Sequence, residues 1–175
     1  GAATNTNNEA PLFSPDGRTL AVVRSTRSST KAVRPTLTMI DLATGTMREI
    51  GKSFDAWPHP GDWTADGRQM VFTADLGGHV PVFTVDVASD KVDLITATRS
   101  GGAHSDVCVL KDGRIVGIRS TFREPPEAFA VTHQPGSPPQ VLARLSGFEF
   151  PDWVEVEHRT ATSTDGASIQ YFVTK

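Results

Sequence analysis

This sequence has a single cysteine, Cys108, and no apolar run near the ~20 residues that a membrane-spanning helix needs. One cysteine excludes a disulfide within the chain. The thiol lies in the strand-like run 106–110, so we expect a small buried side chain rather than a reactive one. Basic residues are also few, since 17 of them stand against 20 acidic ones for a net charge of −3. That balance gives no electrostatic basis for binding nucleic acid or an anionic membrane, and we expect neither as a partner.

The first residues lack the basic and apolar regions of a signal peptide. Residues 1–10 are small and polar, and the first is Gly1 rather than Met, as in a processed or artificially shortened chain. We predict that this segment is disordered or foreign to the domain. The localisation stays unknown, with the cytoplasm favoured by the single cysteine and by the lack of a signal peptide or transmembrane segment in these residues.

The sequence also lacks the 3.6-residue apolar stripe of an amphipathic helix. It has instead a repeated Asp-Gly-Arg turn, in which the aspartate bonds its own backbone and the glycine adopts a positive φ. The turn aspartates Asp16, Asp66 and Asp112 are 50 and 46 residues apart. Apolar residues lie three positions before and four and six positions after each aspartate: Phe13, Leu20 and Val22; Trp63, Met70 and Phe72; Val109, Val116 and Ile118.

Each turn therefore joins two strands whose apolar residues alternate with the period of a half-buried sheet. Two more strands follow in each repeat, the third at 37–40, 82–85 and 128–131 and the fourth at 47–50, 92–95 and 141–145. Four antiparallel strands at a period of roughly 45 residues are typical of a β-propeller blade. We predict an all-β fold of about three blades, at residues 11–54, 55–100 and 101–147. Because propellers close with about 4–8 blades, the ring is incomplete and we expect its remainder as a partner.

Residues 148–175 depart from the repeat. An aromatic and proline-containing passage leads into two alternating runs, joined by the turn Thr164-Asp165-Gly166. This Asp-Gly is not followed by Arg, and no third or fourth strand comes after it. We predict a junction and one terminal β-hairpin rather than a fourth blade.

The order of these motifs resembles the prolyl oligopeptidase family of serine peptidases, and within it the acylaminoacyl-peptidase and dipeptidyl-peptidase-like branch. The resemblance rests on the turns of the Ser14-Pro15-Asp16-Gly17 type, on Pro-Pro-Glu at 125–127, on Pro-Asp-Trp at 151–153 and on Ser-Thr-Asp-Gly at 163–166. It implies the final blades of a propeller and the first hairpin of an α/β-hydrolase domain that is otherwise absent. In such enzymes, the propeller caps the active site and admits only short or unfolded peptides.

The resemblance transfers no catalytic residue to this chain. A nucleophile of the family needs a Gly-x-Ser-x-Gly elbow, and the sequence contains none. We predict that the chain is inactive alone, that its parent is a serine peptidase, and that its partners are the missing blades, a hydrolase domain and short peptides. The alternative is a free-standing propeller that serves as a protein–protein interaction scaffold. A sugar or lactone hydrolase is disfavoured, since no acid repeats at the inner-strand positions.

Two stretches combine residue types that also occur in active sites. In His104-Ser105-Asp106, neighbours on a strand point to opposite faces, so we expect turn chemistry between blades rather than a triad. His59 and Asp62 would need further metal ligands that the sequence does not suggest. They lie in a stretch with two prolines and a glycine, which we predict to be an irregular loop between blades.

The remaining candidates are given structural roles. We expect Arg123 and Glu124 at a solvated hairpin tip, and His79 exposed at another. Two histidines, His133 and His158, have no companion at a metal-ligand spacing. The tryptophans Trp57, Trp63 and Trp153 are expected to pack within blades or between domains, with Trp153 against the hydrolase domain. We therefore predict no catalytic, cofactor-binding or metal-binding residue and no cofactor, and the substrate-binding residues stay unknown.

Overall fold

A computed structural model describes residues 5–26, 33–52, 54–96, 102–149, 151, 153 and 155–175. In this part of the chain the fold is all-β, with three four-stranded antiparallel sheets, a two-stranded hairpin and no helix. The predicted fold class is confirmed. No helix among the described residues is long and apolar enough to cross a membrane.

Each sheet is a meander of four consecutive strands. Sheet 1 contains β1 (Thr6–Phe13), β2 (Thr19–Thr26), β3 (Thr36–Asp41) and β4 (Met47–Ile50). Sheet 2 contains β5 (Pro58–Trp63), β6 (Gln69–Ala74), β7 (Val82–Asp86) and β8 (Val92–Leu94). Sheet 3 contains β9 (Ala103–Val109), β10 (Ile115–Ser120), β11 (Glu127–Val131) and β12 (Gln140–Arg144). The hairpin consists of β13 (Val156–Thr162) and β14 (Ser168–Thr174).

The three Asp-Gly turns form as the sequence predicts. In the first, the Asp16 carboxylate accepts a hydrogen bond from the backbone N–H of Arg18 at 3.0 Å. Asp66 and Asp112 accept the equivalent bond at the same distance. The hydroxyl of Ser14 also donates to Asp16, and this bond is the main reason why the pKa of Asp16 lies below its ordinary value. Local hydrogen bonds therefore fix the joint between the first two strands of every sheet.

Sheet 2 packs against a neighbour on each of its faces. Alternate residues of β6 point to opposite sides, so that Met70 and Phe72 enter a core shared with sheet 1, whereas Val71 enters a core shared with sheet 3. The first core is formed by Ala21, Leu37, Met39, Ile50, Ala56, Trp63, Met70, Phe72, Ala74, Phe83 and Val85. The second is formed by Val71, Val82, Ile95, Val107, Ile115, Phe129 and Val131.

The first strands of the three sheets lie side by side. Each of these strands has one extra residue relative to its partner, a β-bulge, shortly before the Asp-Gly turn. At the bulge of β5, a Cβ on Gly61 would lie 2.3 Å from Cγ2 and 2.9 Å from the carbonyl oxygen of Val107 on β9. Only glycine fits such a close approach between two backbones.

Two segments differ from the sequence-based expectation. Residues 58–63 form strand β5, so the prediction of an irregular loop there was wrong. Strand β5 is an outer strand of its sheet and pairs only with β6, a position at which prolines are tolerated. Strand β1 begins at Thr6, inside the segment 1–10 that we expected to be disordered or foreign, while residues 1–4 lie outside the described residues.

Candidate functional site

The loop end of the sheets is the end opposite the Asp-Gly turns, where β2–β3, β6–β7 and β10–β11 are connected. The hairpin β13–β14 packs here against the connections of sheets 2 and 3. Phe172 of β14 is the central side chain, with its ring centroid 4.5 Å from that of Phe122 and 4.9 Å from that of His158. It also meets the edge of His79 at 5.5 Å. Four rings from three separate elements therefore form one contact.

The β6–β7 turn is shaped to receive this hairpin. Gly78 has a φ of 79°, and a Cβ at this position would lie 2.4 Å from the ring of Phe172. The neighbouring His79 is partly covered by the hairpin, so the expectation that it is exposed at a hairpin tip was wrong. Burial lowers the pKa of His79, and the nearby His158 lowers it further. Both effects favour the neutral form of His79.

A buried ion pair closes the loop end of sheet 3. Nη2 of Arg119 lies 2.9 Å from Oε1 of Glu127 and 3.0 Å from Oε2 of Glu124. The side chains of Arg119 and Glu127 are only 11% and 6% exposed, whereas that of Glu124 is 52% exposed. The Thr121 hydroxyl also donates to Glu124 at 3.1 Å. The carboxylate of Glu124 thus joins Arg119 of β10 to Thr121 of the β10–β11 connection.

His104 and Ser105 do not form a catalytic pair. His104 is buried, and its Nδ1 donates to the carbonyl oxygen of Val80 at 2.8 Å. Burial lowers the pKa of His104, Arg119 lowers it further, and the bond to Val80 opposes both. The hydroxyl of the exposed Ser105 instead donates to Asp106 at 2.8 Å. As expected from the alternation of a strand, the imidazole and the hydroxyl have separate partners.

His59 and Asp62 also have separate structural roles. Nε2 of His59 lies 3.3 Å from Oδ2 of Asp75. The carboxylate of Asp62 accepts the backbone N–H of Trp63 at 2.8 Å and that of Val109 at 2.9 Å. The second bond joins the first strand of sheet 2 to that of sheet 3. Within the described residues, no three His, Cys, Asp or Glu side chains are grouped closely enough to hold a metal ion.

The expectations for the three tryptophans and for Cys108 are met only in part. Trp63 is buried in the first core, as predicted, but Trp57 and Trp153 are 55% and 74% exposed. Cys108 is exposed, so the prediction of a buried thiol was wrong. Cys108 alternates with Val107, which enters the core shared with sheet 2, so the thiol lies on the opposite face of β9. His133 contacts the carbonyl oxygen of Gly113 through Nδ1.

A groove at the loop end lies between the β10–β11 connection and the residues that follow β12. Its walls carry the guanidinium groups of Arg123 and Arg144, the carboxylates of Glu124 and Glu149, and the 59% exposed ring of Phe148. These groups can contact a polypeptide through charge and apolar surface.

The sequence did not reveal the ring cluster or the buried ion pair. His79, Phe122 and Phe172 are far apart in the chain, and each lies in a different element. For Arg119 and Glu127, which are direct cross-strand neighbours, the signal was the charge complementarity of the two strands. That signal could be used only after the register of β10 and β11 was known.

No family model matches this sequence. Among curated proteins the chain is similar to dipeptidyl-peptidase 5 of Porphyromonas gingivalis, with 24% identity over 164 residues. The match covers 93% of this chain and 24% of that protein. The chain thus spans about a quarter of the length of the curated relative that it matches.

Solved structures show the same fold. A puromycin hydrolase superposes with a TM-score of 0.66 at 17% identity, over 94% of this chain and 25% of that one. A prolyl endopeptidase gives 0.55 at 15% identity, over 98% and 31%. TolB from Agrobacterium tumefaciens gives 0.61 at 17% identity, over 99% and 68%. The three sheets are therefore blades of a β-propeller segment that is distantly related to the propellers of the prolyl oligopeptidase family and that shares its fold with TolB.

Proposed function

We propose that this chain is the non-catalytic propeller segment of a serine peptidase like those of the prolyl oligopeptidase family. In this proposal it caps an α/β-hydrolase domain and limits the size of the peptides that reach the active site. The observation that carries the proposal is the packing of the hairpin β13–β14 on the loop end of sheets 2 and 3. By the family resemblance, this hairpin is the first element of the hydrolase domain and residues 148–153 are the junction. The loop end is then the side that faces the active site.

Exposed aromatic side chains support an interface at this end. Phe122 is 48% exposed although it contacts the hairpin, and Phe148 on the groove wall is 59% exposed. Trp153, in the junction itself, is 74% exposed. Apolar side chains of this size are commonly covered by a partner when they cluster. A hydrolase domain seated on the loop end would cover them.

Peptides are the substrate class that this reading favours. The curated relative whose match covers 93% of this chain is a dipeptidyl-peptidase. Release of amino-terminal dipeptides is therefore the first activity to test. Acylaminoacyl substrates are the second, since that branch shares the motif order. The contribution of the propeller is steric, because it selects by size before any chemistry takes place.

The first test compares this chain with a version extended through the coding sequence that follows it. We expect only the extended chain to cleave dipeptidyl or acylaminoacyl chromogenic substrates and to be labelled by a fluorophosphonate probe. The matched control replaces the serine of the Gly-x-Ser-x-Gly elbow in the extension by alanine, which should abolish both signals. An extension without such an elbow, or one that the probe does not label, contradicts the proposal.

The size limit needs a second measurement on the active extended chain. We expect an octapeptide to be cleaved much faster than the same sequence embedded in a folded protein. Removal of residues 5–147 should relax that preference if the remaining hydrolase domain keeps its activity on the chromogenic substrate. Equal preference with and without the blades would contradict the filtering role while leaving the peptidase assignment intact.

The similarity to TolB favours a second candidate, a free-standing propeller that binds other proteins. The TolB match covers 68% of that chain, a larger share than either hydrolase match. Recognition would then use the loops at one end of the blades. The extension experiment separates the two candidates, because a scaffold has no nucleophile for the probe to label.

A further inference from the structure

The contact between the hairpin and the sheets packs two imidazoles against one aromatic ring and against each other. His158 stacks on Phe172 at 4.9 Å, and His79 meets the same ring edge-on at 5.5 Å. The two imidazole centroids are 5.9 Å apart. His79 belongs to the β6–β7 turn and His158 to β13. Charging both rings would therefore repel the hairpin from the sheet on which it packs.

The hairpin itself offers no charge to offset this repulsion. On the face that carries His158 and Phe172, the neighbouring side chains in the ladder are uncharged: Val156, Thr160, Gln170 and Thr174. The carboxylate of Glu157 lies on the opposite face, where it pairs with Arg159 and Lys175.

The carboxylates on the surrounding elements of sheets 2 and 3 have other partners, since Glu124, two residues after Phe122, pairs with Arg119. Asp75, just before the turn, pairs with His59. The backbone N–H of Gly102 donates to Nδ1 of His79 at 3.4 Å, a bond that requires this nitrogen to be unprotonated. Next to Phe122 in the β10–β11 connection is Arg123, a further positive charge. Within the described residues, no carboxylate forms an ion pair with either imidazole of the cluster.

We propose that the docking of hairpin β13–β14 on the loop end is a pH-sensitive switch, closed when His79 is neutral and opened when it is protonated. The switch uses only contacts within this chain, so it does not depend on the proposed peptidase function. If that function is correct, the same switch acts at the boundary between propeller and hydrolase domain.

The direction of the effect follows from proton linkage. Because docking lowers the pKa of His79, the docked state binds fewer protons than the undocked state. Docking is therefore strongest above the ordinary imidazole pKa of about 6.5 and weakens as the pH falls below it. Each unit by which docking lowers the pKa weakens the docking equilibrium about tenfold once the pH is below both values.

Hydrogen–deuterium exchange with mass spectrometry can test the switch on this chain. Exchange is measured at about pH 7.5 and about pH 5.5, with labelling times scaled for the intrinsic pH dependence. We expect peptides covering β13, β14 and residues 76–79 to exchange faster at the lower pH, while β6 and β7 stay protected. The protected core strands show in the same sample that the blades remain folded.

Three variants assign the effect to the cluster. His158→Phe keeps a ring against Phe172 but removes the charge that would face a protonated His79, so the pH dependence should weaken. His79→Phe removes the imidazole whose pKa docking lowers, so the hairpin should stay protected at both pH values. Phe172→Ala gives the undocked reference, with fast exchange of the hairpin at both pH values. The matched control is His133→Phe, whose imidazole contacts Gly113 beside an Asp-Gly turn and which should keep the pH dependence of the original chain.

Three results would overturn the proposal. The first is equal protection of the hairpin at both pH values in the original chain. The second is an unchanged pH dependence in His158→Phe, which substitutes an exposed residue and is expected to fold even if His79→Phe does not. The third is loss of protection in β6 and β7 at the same pH as in the hairpin, which would indicate global unfolding.

Discussion

Sheets 2 and 3 begin with the same turn chemistry, yet their strands are buried to very different degrees. In sheet 2, β6 is buried at five of its six positions and β7 at four of its five, because sheets 1 and 3 cover both faces. In sheet 3, β11 is likewise buried at four of its five positions, but β10 is buried at only one of its six and β12 is exposed at all five. The repeated unit therefore does not stabilise itself, and each blade depends on the neighbours that cover its faces.

Polar contacts also distinguish the two sheets. The middle of sheet 2 is held almost entirely by apolar packing, with Phe72 and Phe83 stacked at 5.4 Å. Sheet 3 has instead a row of polar side chains across three strands, in which Arg119 lies opposite His104 on one side and Glu127 on the other. Buried ion pairs add little net stability over apolar packing, but breaking one is costly.

Removing a central ring should have the largest effect on sheet 2. Phe72→Ala deletes a side chain that is 1% exposed in the core shared with sheet 1, and we expect a loss of about 3–5 kcal/mol in the free energy of unfolding. Leu142→Ala on β12, where the side chain is 50% exposed, should cost less than about 0.5 kcal/mol. Urea denaturation of the two variants measures the difference. Similar losses would contradict the contrast between the sheets.

Breaking the ion pair should have the next largest effect. Arg119→Met leaves the buried carboxylate of Glu127 without its partner, and we expect a loss of about 3 kcal/mol. Arg119→Met combined with Glu127→Leu removes both charges and should recover most of the loss. Glu124→Gln is the matched control, since its 52% exposed carboxylate pairs with the same guanidinium and should cost at most about 1 kcal/mol. If the double variant is no more stable than Arg119→Met, the loss does not come from an unpaired buried charge, and the ion pair itself contributes the stability.

The smallest effect is expected at the bond that joins sheets 2 and 3. Asp62→Ala removes the acceptor for the backbone N–H groups of Trp63 and Val109, which should cost about 1–2 kcal/mol. Asp62→Asn keeps one acceptor oxygen and should lose less. Denaturation gives the free energies, and faster amide exchange at Val109 locates the change. Unaltered exchange there would contradict a role in joining the two strands.

The sequence predicted part of this comparison correctly. The alternation of Met70 and Phe72 indicated one face of a strand, and both side chains enter the core with sheet 1. The same offsets in the third repeat suggested Val116 and Ile118, but the residue that enters the core is Ile115. The turn of the third repeat is one residue shorter than the other two. Ile115, three positions after the turn aspartate, therefore lies opposite Val109, whereas in sheets 1 and 2 the residue four positions after the aspartate takes this place. Turn length shifts the register without changing the motif.

The candidate site was less predictable than the fold. Cys108 alternates with Val107, and sheet 2 decides which of the two is buried by covering the face that carries Val107. The packing of His79 against Phe172 joins residues that are almost a hundred positions apart, and neither has a motif around it. Such contacts form between elements that are already folded, so local periodicity carries no trace of them.

The sequence by itself determined the number of sheets, the positions of their turns and the terminal hairpin. Those features depend on hydrogen bonds and alternation within a few residues, which the order of amino acids specifies directly. Only the tertiary structure decided which faces became cores, which charges became buried and where the hairpin docks. Those features depend on contacts between distant segments, whose geometry is set by how the sheets cover one another.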